Sequence, residues 1–271
     1  DALPISMELA ENPLIGRYAG IVAASVFGCT IVFTIPVGMG LIEEGDRPVF
    51  AKGIMLGLAA MPAALITGGA VCGLGIGEIL HQNLPVLVLA LLLGIGLFRI
   101  PDGMVKGFEV FAVLIRTVIT AGLVLAAVTY MTGFVVIPGM APIEEAMAVV
   151  SSIGVVLLGS LPVTEFLQRR LKRPCTALGA RMGLDSISVL GLLVSIVSPI
   201  PALVMMKDMN TFGKLVNVAY MVSSASMLAA HLGFTVSTEP DMLPALLVSK
   251  LAGCAAAIAL GFITSKTKKR L

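Results

Sequence analysis

The sequence predicts an all-α, polytopic transmembrane helical bundle, and three observations support that fold class. Hydrophobic residues make up 58% of the 271 residues and charged residues only 13%, about half the charge that a soluble domain carries. Apolar runs of about 20 residues, long enough to cross the hydrocarbon, recur along the chain. Lys and Arg gather in alternate loops between these runs, as the positive-inside rule requires. Lipid is therefore the predicted solvent of most of the surface.

About seven of the apolar runs are assigned as spans. Five of them cover 15–42, 54–79, 84–100, 108–137 and 146–167, and two more cover 215–234 and 243–263. Basic residues follow the first, third and fifth spans, and the largest group lies at 168–186, which we predict to be a basic cytoplasmic loop. Glycine pairs four residues apart, such as Gly53 with Gly57, predict close packing between helices.

One further apolar segment, 187–206, contains Pro199 and Pro201. A complete crossing here would place the basic tail and the acidic loop at 235–241 on the wrong sides of the membrane. A segment that enters and leaves the membrane on one side places the basic tail and the acidic loop on the expected sides. Each proline also removes a backbone hydrogen-bond donor. We therefore predict a discontinuous or re-entrant helix, whose irregular backbone needs protein or a water-filled cavity around it.

Two weak internal repeats are visible. Leu3-Pro4 and Gly16-Arg17 match Ile200-Pro201 and Gly213-Lys214 at one constant offset. A second register, which aligns residues 46–52 with 208–214, excludes the first, and we favour the first because a polar helical segment follows both copies. Transporters are often built from such repeats, with substrate bound near broken helices. Chance similarity within a low-diversity apolar sequence is the alternative.

The chain begins with Asp1, and the n-region and h-region of a signal peptide are not recognisable in its first residues. We expect 1–271 to be a single membrane-embedded transporter domain that is a fragment, with N-terminal spans missing.

The candidate binding residues lie between Lys207 and Phe234. Asn217, Ser224 and His231 recur every seven residues, and successive sevens drift only about 20° around a helix, so one continuous helix would place them on one face. Polar side chains at membrane depth face protein or water. The predicted substrate-binding residues are Asp208, Asn217, Tyr220, Ser224 and His231. The alternative is that these side chains only join neighbouring helices by hydrogen bonds.

Several function classes are disfavoured by the sequence. It contains no P-loop and none of the catalytic motifs GxSxG or HExxH, so we predict no enzyme and no cofactor. The four cysteines form no CxxC pair, and we predict neither a metal site nor a disulfide framework. A net charge of +2 and the lack of a basic stripe give no reason to expect nucleic acid as a partner.

Several short sequence motifs resemble those of one known family. They are TIVFTIP at 30–36, EEGDR at 43–47, KGF at 106–108, LGSLP at 158–162, MMKDMNTFGKLVN at 205–217 and AHLGF at 230–234. Together they resemble the ethanolamine utilisation permease family over nearly the whole chain, and residues 205–234 are the most specific part. The resemblance implies a multi-pass protein of a bacterial inner (plasma) membrane that admits ethanolamine for a cobalamin-dependent lyase. Members are longer, and they often carry an acidic residue where this chain has Ala230.

The resemblance therefore implies ethanolamine transport into the cell, by facilitated diffusion or by ion-coupled uptake. A binding site would use carbonyls or a carboxylate such as Asp208 for the ammonium, an aromatic face such as Tyr220, and Asn217 or Ser224 for the hydroxyl. The alternatives are a transporter of a nucleoside or amino acid and a non-transporting scaffold or sensor subunit. The expected partners are the solute and the lipid bilayer, and a homo-oligomer stays open.

Overall fold

The chain folds into a bundle of helices in which the long helix Arg47–Val71 packs against many of the others. The computed structural model describes residues 13–28, 30, 34–139 and 142–268, and no strand occurs among them. In chain order the elements are α1 (Pro13–Tyr18), which continues as a π-helix, π1 (Ala19–Gly28), α2 (Ile35–Leu41), a 3₁₀ turn (Glu44–Asp46), α3 (Arg47–Val71), α4 (Ile76–Gln82), α5 (Leu84–Arg99), α6 (Pro101–Thr132), α7 (Ile143–Met182), α8 (Ser186–Ser195), α9 (Pro199–Met205), a 3₁₀ turn (Met206–Asp208), α10 (Thr211–Ser224), α11 (Ala230–Thr238), a 3₁₀ turn (Pro240–Met242) and α12 (Leu243–Lys268). The all-α membrane fold predicted from the sequence is confirmed.

The number of complete spans is lower than predicted within the described residues. Three stretches are long and apolar enough to cross a membrane, Glu44–Val71, Pro101–Thr132 and Pro240–Ser265. Two bent pairs bring the number to five if each pair is one span: Ile76–Gln82 with Leu84–Arg99, and Arg173–Met182 with Ser186–Ser195. About seven spans were predicted, and the difference arises partly because apolar runs counted as single spans are broken helices.

The predicted span 215–234 is one of these broken runs. α10 ends at Ser224 and α11 begins at Ala230, and between them Ser226 has a φ of 55°. A left-handed backbone at a residue other than glycine costs of order 1–3 kcal/mol and occurs often at functional sites. No residue type indicates this break, because residues 225–229 contain neither proline nor glycine.

The segment 187–206 is discontinuous, as predicted. α8 ends at Ser195 and α9 begins at Pro199, with Pro201 two positions later. The Ser198 side chain caps the second helix by accepting a hydrogen bond from the Ile200 N–H at 3.4 Å. The prolines lie in the first turn of α9, where their missing N–H groups leave no hydrogen bond unmade.

The basic segment at 168–186 is not a loop through most of its length, which corrects that prediction. α7 continues through Pro162 and Pro174 to Met182, and Gly183 ends it with a φ of 68°. Hydropathy marks where the apolar environment ends, whereas a helix can continue beyond that point with charged side chains. The side of the membrane on which this segment lies remains a prediction.

The same order of elements occurs twice in the described chain. Residues 13–71 contain α1 with π1, then α2, an acidic 3₁₀ turn and α3; residues 211–268 contain α10, α11, an acidic 3₁₀ turn and α12. Gly16-Arg17 lies near the start of the first unit and Gly213-Lys214 near the start of the second. This correspondence favours the repeat register that the sequence analysis preferred.

The two units have opposite orientations. The C-terminal part of α3 lies beside the N-terminal part of α12: a Cβ added to Gly68 would lie 2.9 Å from the Cβ of Ser249, and Cys72 Sγ lies 3.6 Å from Met242 Sδ. At the other end, Gly261 of α12 packs against Val216, near the start of α10. The long helices α3 and α12 are therefore antiparallel, as in an inverted-topology repeat.

Each unit supplies a cation to the acidic turn of the other. Lys214 Nζ donates to both oxygens of Asp46 at 2.6 and 2.7 Å, and Arg17 Nε donates to Glu239 Oε2 at 2.7 Å. The carboxylates precede α3 and α12 respectively, so the two ion pairs lie at opposite ends of the bundle. Asp46 is largely buried, whereas Glu43 and Glu44 are exposed and Glu44 pairs with Arg47 at 3.4 Å.

Close packing at glycines brings α3 and α10 together, as the Gly53–Gly57 spacing predicted. Gly53 faces the Val218 side chain, and a Cβ added to Gly57 would lie 2.6 Å from the Ala219 carbonyl oxygen. This contact places α10 in the centre of the bundle. By contrast, α6 presents a row of exposed apolar side chains that is suited to lipid: Val110, Val113, Leu114, Val118 and Val124.

Candidate functional site

The broken helices α8 and α10 start together and run side by side. The carboxylate of Asp185 accepts the Ser188 N–H at 2.6 Å, which caps α8, and also accepts the Asn210 N–H at 2.5 Å. The Asn210 side chain in turn accepts the Gly213 N–H at 2.6 Å and caps α10. Because one carboxylate binds the chain at the start of both helices, the two helices are in register.

That register brings their polar side chains into pairs. Asn217 Nδ2 donates to the Ser188 carbonyl at 2.9 Å, and one heptad later the Ser224 hydroxyl lies 3.1 Å from the Ser195 hydroxyl. Asn217 is 2% exposed and Ser224 is 0% exposed. Both side chains therefore join α8 to α10 in this conformation, which is the arrangement that the alternative interpretation of the stripe expects.

Both helices also end at the same depth. α8 ends at Ser195 and α10 at Ser224, and beyond these ends the Leu228 N–H donates to the Ile196 carbonyl at 3.0 Å. Carbonyls in the last turn of a helix lack partners within the helix and carry a partial negative charge. Two such ends therefore concentrate negative potential at one point inside the bundle.

A buried lysine occupies this point. Lys250 of α12 is 0% exposed, and its Nζ donates to the carbonyls of Ser223 at 3.0 Å, Ala225 at 3.3 Å and Ser25 at 3.4 Å. Ser25 belongs to π1, which is the element of the first unit that corresponds to α10. We call the ends of α8 and α10, the Ser25 carbonyl of π1 and Lys250 together the crossover.

Sequence analysis did not select Lys250, although the signal was present. Lys250 is the one charged residue within the apolar run 243–263, and an ionisable residue inside a span indicates a functional site with a nearby partner. The partners here are main-chain carbonyls, which no side-chain pattern reveals.

His231 lies beside the crossover but not on the face of α10. It belongs to the first turn of α11, and its main-chain N–H donates to the Ser226 carbonyl at 3.1 Å. Its imidazole is within electrostatic reach of Lys250 and of the Ala225 carbonyl, and its Nδ1 is buried without a hydrogen-bond partner among the described atoms. The expected single face of Asn217, Ser224 and His231 is therefore wrong for His231, because α10 ends before it.

Two of the predicted binding residues lie away from the crossover or face elsewhere. Asp208 is exposed in the turn before α10, about 20 Å from the end of that helix by the rise per residue. Tyr220 is 8% exposed and packs in an apolar cluster with Val216 and Cys254. Neither side chain is a described contact of Lys250.

Ser223, whose carbonyl binds Lys250, also carries a polar side chain. The Ser223 hydroxyl is buried with no hydrogen-bond partner among the described atoms, and it points at Gly253, where only a glycine leaves room for it. Unpaired buried hydroxyl and imidazole groups need an explanation, such as a ligand or a water molecule. With the carbonyls around Lys250, they give the crossover both acceptors for an ammonium and partners for a hydroxyl.

Comparison with known proteins gives one consistent family. The profile described as "Ethanolamine utilisation protein, EutH" matches residues 1–264. A relative from Listeria monocytogenes, named "Probable ethanolamine permease EutH", is 37% identical over 95% of this chain and 69% of its own length. "Uncharacterized protein YxeR" from Bacillus subtilis is 38% identical over 97% of this chain and 73% of its own length.

A relative from Escherichia coli, also named "Probable ethanolamine permease EutH", is 36% identical over 89% of this chain, which spans 65% of that relative's length. No solved structure matches the chain. The family profile and the relatives agree with the resemblance noted in the sequence, and this chain belongs to the ethanolamine utilisation protein EutH family.

Proposed function

We propose that this protein carries ethanolamine across a bacterial inner membrane into the cell, and that the solute binds at the crossover. The observation that supports this proposal most directly is the Lys250 ammonium, which three main-chain carbonyls hold inside the bundle. Ethanolamine is mostly a primary alkylammonium ion at neutral pH, so its charged group has the same donors. The permease names of the relatives support the same substrate.

The architecture supports transport of a solute rather than a scaffold. Inverted repeats with discontinuous helices place substrate near the middle of the membrane, where freed backbone groups coordinate it. Here π1 and α10 are corresponding elements of opposite units, and each contributes a carbonyl to one ammonium. The ion pairs Lys214–Asp46 and Arg17–Glu239 then lie on either side of the crossover, where opening one at a time would give access from alternate sides.

The hydroxyl of the solute would bind to the remaining polar groups. His231 Nδ1 and the Ser223 hydroxyl are two of the five buried side-chain groups without described partners, and the Ser195–Ser224 hydroxyl pair lies at the ends of the same helices. Asn217, seven residues before Ser224, would contribute by holding α8 and α10 in register. Asp208 and Tyr220 would not contact the bound solute directly.

Uptake by the full-length protein tests the proposal. Proteoliposomes that contain it should accumulate labelled ethanolamine at an external pH of about 6, where the solute is charged and crosses lipid poorly by itself. Unlabelled ethanolamine should compete, and propylamine should compete less well because it lacks the hydroxyl. Uptake equal to that of protein-free liposomes would contradict transport. Stronger competition by a nucleoside or an amino acid would favour the alternative solute classes.

The histidine provides the first residue-level prediction. His231→Gln should reduce ethanolamine uptake roughly tenfold, which corresponds to about 1.4 kcal/mol of lost interaction, with unchanged membrane abundance because the imidazole Nδ1 has no described partner to lose. The matched control is His81→Gln, since His81 is exposed on α4 and is the only other histidine. Equal uptake by the two variants would remove His231 from the site.

Asn217 and Ser224 should behave differently from each other. Asn217→Leu removes the hydrogen bonds to the Ser188 and Gly213 carbonyls, each of which contributes about 0.5–1.5 kcal/mol. We expect reduced membrane abundance and a lower unfolding temperature. Ser224→Ala removes one hydroxyl pair at the end of α10 and should lower uptake per molecule while abundance stays near that of the parent. Immunoblotting beside uptake separates the two effects, and the reverse order would contradict these assignments.

A further inference from the structure

The carbonyl groups around Lys250 form a site for a primary ammonium ion, and the protein fills it with its own side chain. Three described acceptors surround Nζ, at 3.0, 3.3 and 3.4 Å. A primary ammonium has three N–H donors, so each of these described carbonyls can accept one of them. Two of these carbonyls belong to the end of α10, where the helix dipole adds to the attraction for a cation.

This arrangement rests on elements that can move apart. The Ser25 carbonyl comes from π1, the Ser223 and Ala225 carbonyls come from the end of α10, and Lys250 comes from α12. The left-handed Ser226 next to Ala225 shows that the backbone leaves the helix at this point. A change in the packing of one unit against the other would therefore open the carbonyl set without unfolding a helix.

We infer that Lys250 is a tethered competitor of the substrate: a primary amine binds to the carbonyls of Ser25, Ser223 and Ala225 only when Lys250 leaves them and gives its proton to water. The inference rests on the proposed function and adds how the site is regulated. Two ammonium ions at hydrogen-bonding distance inside an apolar bundle disfavour each other's charged form, so the incoming cation takes the place of the lysine proton. Each binding event then adds one substrate cation and releases one proton, and the charge of the site stays the same.

Among the described residues, three other titratable groups lie near this lysine. His231 of α11 and Cys254, one turn further along α12, are within electrostatic reach, and Tyr220 of α10 lies beside Cys254. The facing parts of the other neighbouring elements contain no charged residue in their sequence: π1, α8 and residues 53–71 of α3. His231 is therefore the second candidate for any pH dependence, and the experiment must separate it from Lys250.

Calorimetry of the full-length protein in nanodiscs tests the exchange. Ethanolamine is titrated between about pH 6 and pH 8, a range in which the ligand remains a cation, in pairs of buffers that differ in ionisation enthalpy. We expect one proton to be released per ligand bound and the affinity to rise by up to tenfold per pH unit. His231→Gln should bind more weakly but show the same proton release and the same dependence of the affinity on pH. Ligand binding without proton release would overturn the inference.

Two substitutions extend the test. Lys250→Met should bind ethanolamine at least as tightly as the parent, with no proton release and no dependence of the affinity on pH. Lys250→Arg should lose binding at least tenfold across the whole range, because a guanidinium keeps its proton. If the arginine variant binds as the parent does, or if the affinity of the methionine variant still rises with pH, Lys250 is not the competitor.

A third variant keeps the inference testable if loss of the lysine weakens the fold. Lys250→Ala should regain thermal stability when millimolar methylammonium or butylammonium is added, and the parent protein should not respond in the same way. Tetramethylammonium, which has no N–H donor, is the control. No stabilisation by any primary amine would show that the carbonyls do not bind a free ammonium. Because proteoliposome uptake is measured separately, normal uptake without proton release would overturn only the exchange, whereas absent uptake would overturn the proposed function.

Discussion

Replacing Lys214 by methionine is expected to destabilise the protein by about 3 kcal/mol, because it leaves a largely buried carboxylate without its cation. The Lys214 and Asp46 side chains are only 15% and 13% exposed, so water cannot replace the lost partner. Thermal unfolding in detergent micelles should show a marked decrease in the unfolding temperature, accompanied by lower membrane abundance. The Lys214→Met/Asp46→Leu double variant should recover at least half of the loss, since it removes the stranded charge as well.

The corresponding ion pair in the other unit supplies the control. Arg17 and Glu239 side chains are 33% and 37% exposed, and exposed pairs contribute about 0–1 kcal/mol. Arg17→Met should therefore lower the unfolding temperature much less than Lys214→Met does. Equal losses from the two substitutions would mean that burial does not set the strength of these pairs. A double variant as unstable as Lys214→Met alone would contradict the stranded-charge explanation.

Gly57→Leu is expected to have a comparable effect for a steric reason. Its Cβ would lie 2.6 Å from the Ala219 carbonyl oxygen and would collide with Val222, and main-chain atoms of a packed helix cannot move aside as a flexible side chain can. Overpacking of this kind costs about 3 kcal/mol and should separate α3 from α10. We expect little folded protein, measured as the monodisperse fraction after extraction.

Gly94→Leu is the matched control for the glycine. Gly94 lies within the apolar run of α5 and has no atom within 4 Å of an added Cβ, so the same substitution gains helix propensity without a clash. It should give as much folded protein as the parent or more. If Gly94→Leu were as damaging as Gly57→Leu, the loss would reflect added side-chain bulk rather than the contact between α3 and α10.

Apolar composition and loop charge were sufficient to predict the membrane fold. Most of the run 54–79 lies in α3, which ends at Val71, the run 243–263 lies in α12, and the glycines at 53 and 57 mark the contact with α10. These features follow from local chemistry, since lipid requires apolar side chains and small residues allow helices to approach. The break before Pro199 was also predictable, because proline has a known effect on its own backbone.

The break after Ser224 was not predictable in this way. No residue between Ala225 and Ala229 disfavours a helix strongly, and the chain leaves the helix because tertiary contacts stabilise the broken form: Leu228 donates to Ile196, and Lys250 binds the exposed carbonyls. Tertiary interactions of this kind override local propensity. The error about the face of His231 has the same cause, since a seven-residue spacing has meaning only along an unbroken helix.

The site proposed from the structure overlaps the region selected from the sequence, but its chemistry differs. The sequence analysis selected side chains, whereas the cation at the crossover is bound by main-chain carbonyls of Ser25, Ser223 and Ala225. A main-chain acceptor leaves no trace in the residue type at its position. What the sequence does show is the lysine that such acceptors require, and a lone charge in an apolar run is the signal to search for first.

The two ion pairs between the units differ in burial, so they should differ in how easily they open. Each pair lies at one end of the antiparallel helices α3 and α12. The Lys214–Asp46 pair is largely shielded from water, whereas the Arg17 and Glu239 side chains are 33% and 37% exposed. Physiological salt weakens an exposed pair far more than a shielded one. We therefore expect the Arg17–Glu239 pair to open more easily than the Lys214–Asp46 pair in the substrate-free protein. The difference between the two pairs should increase with ionic strength.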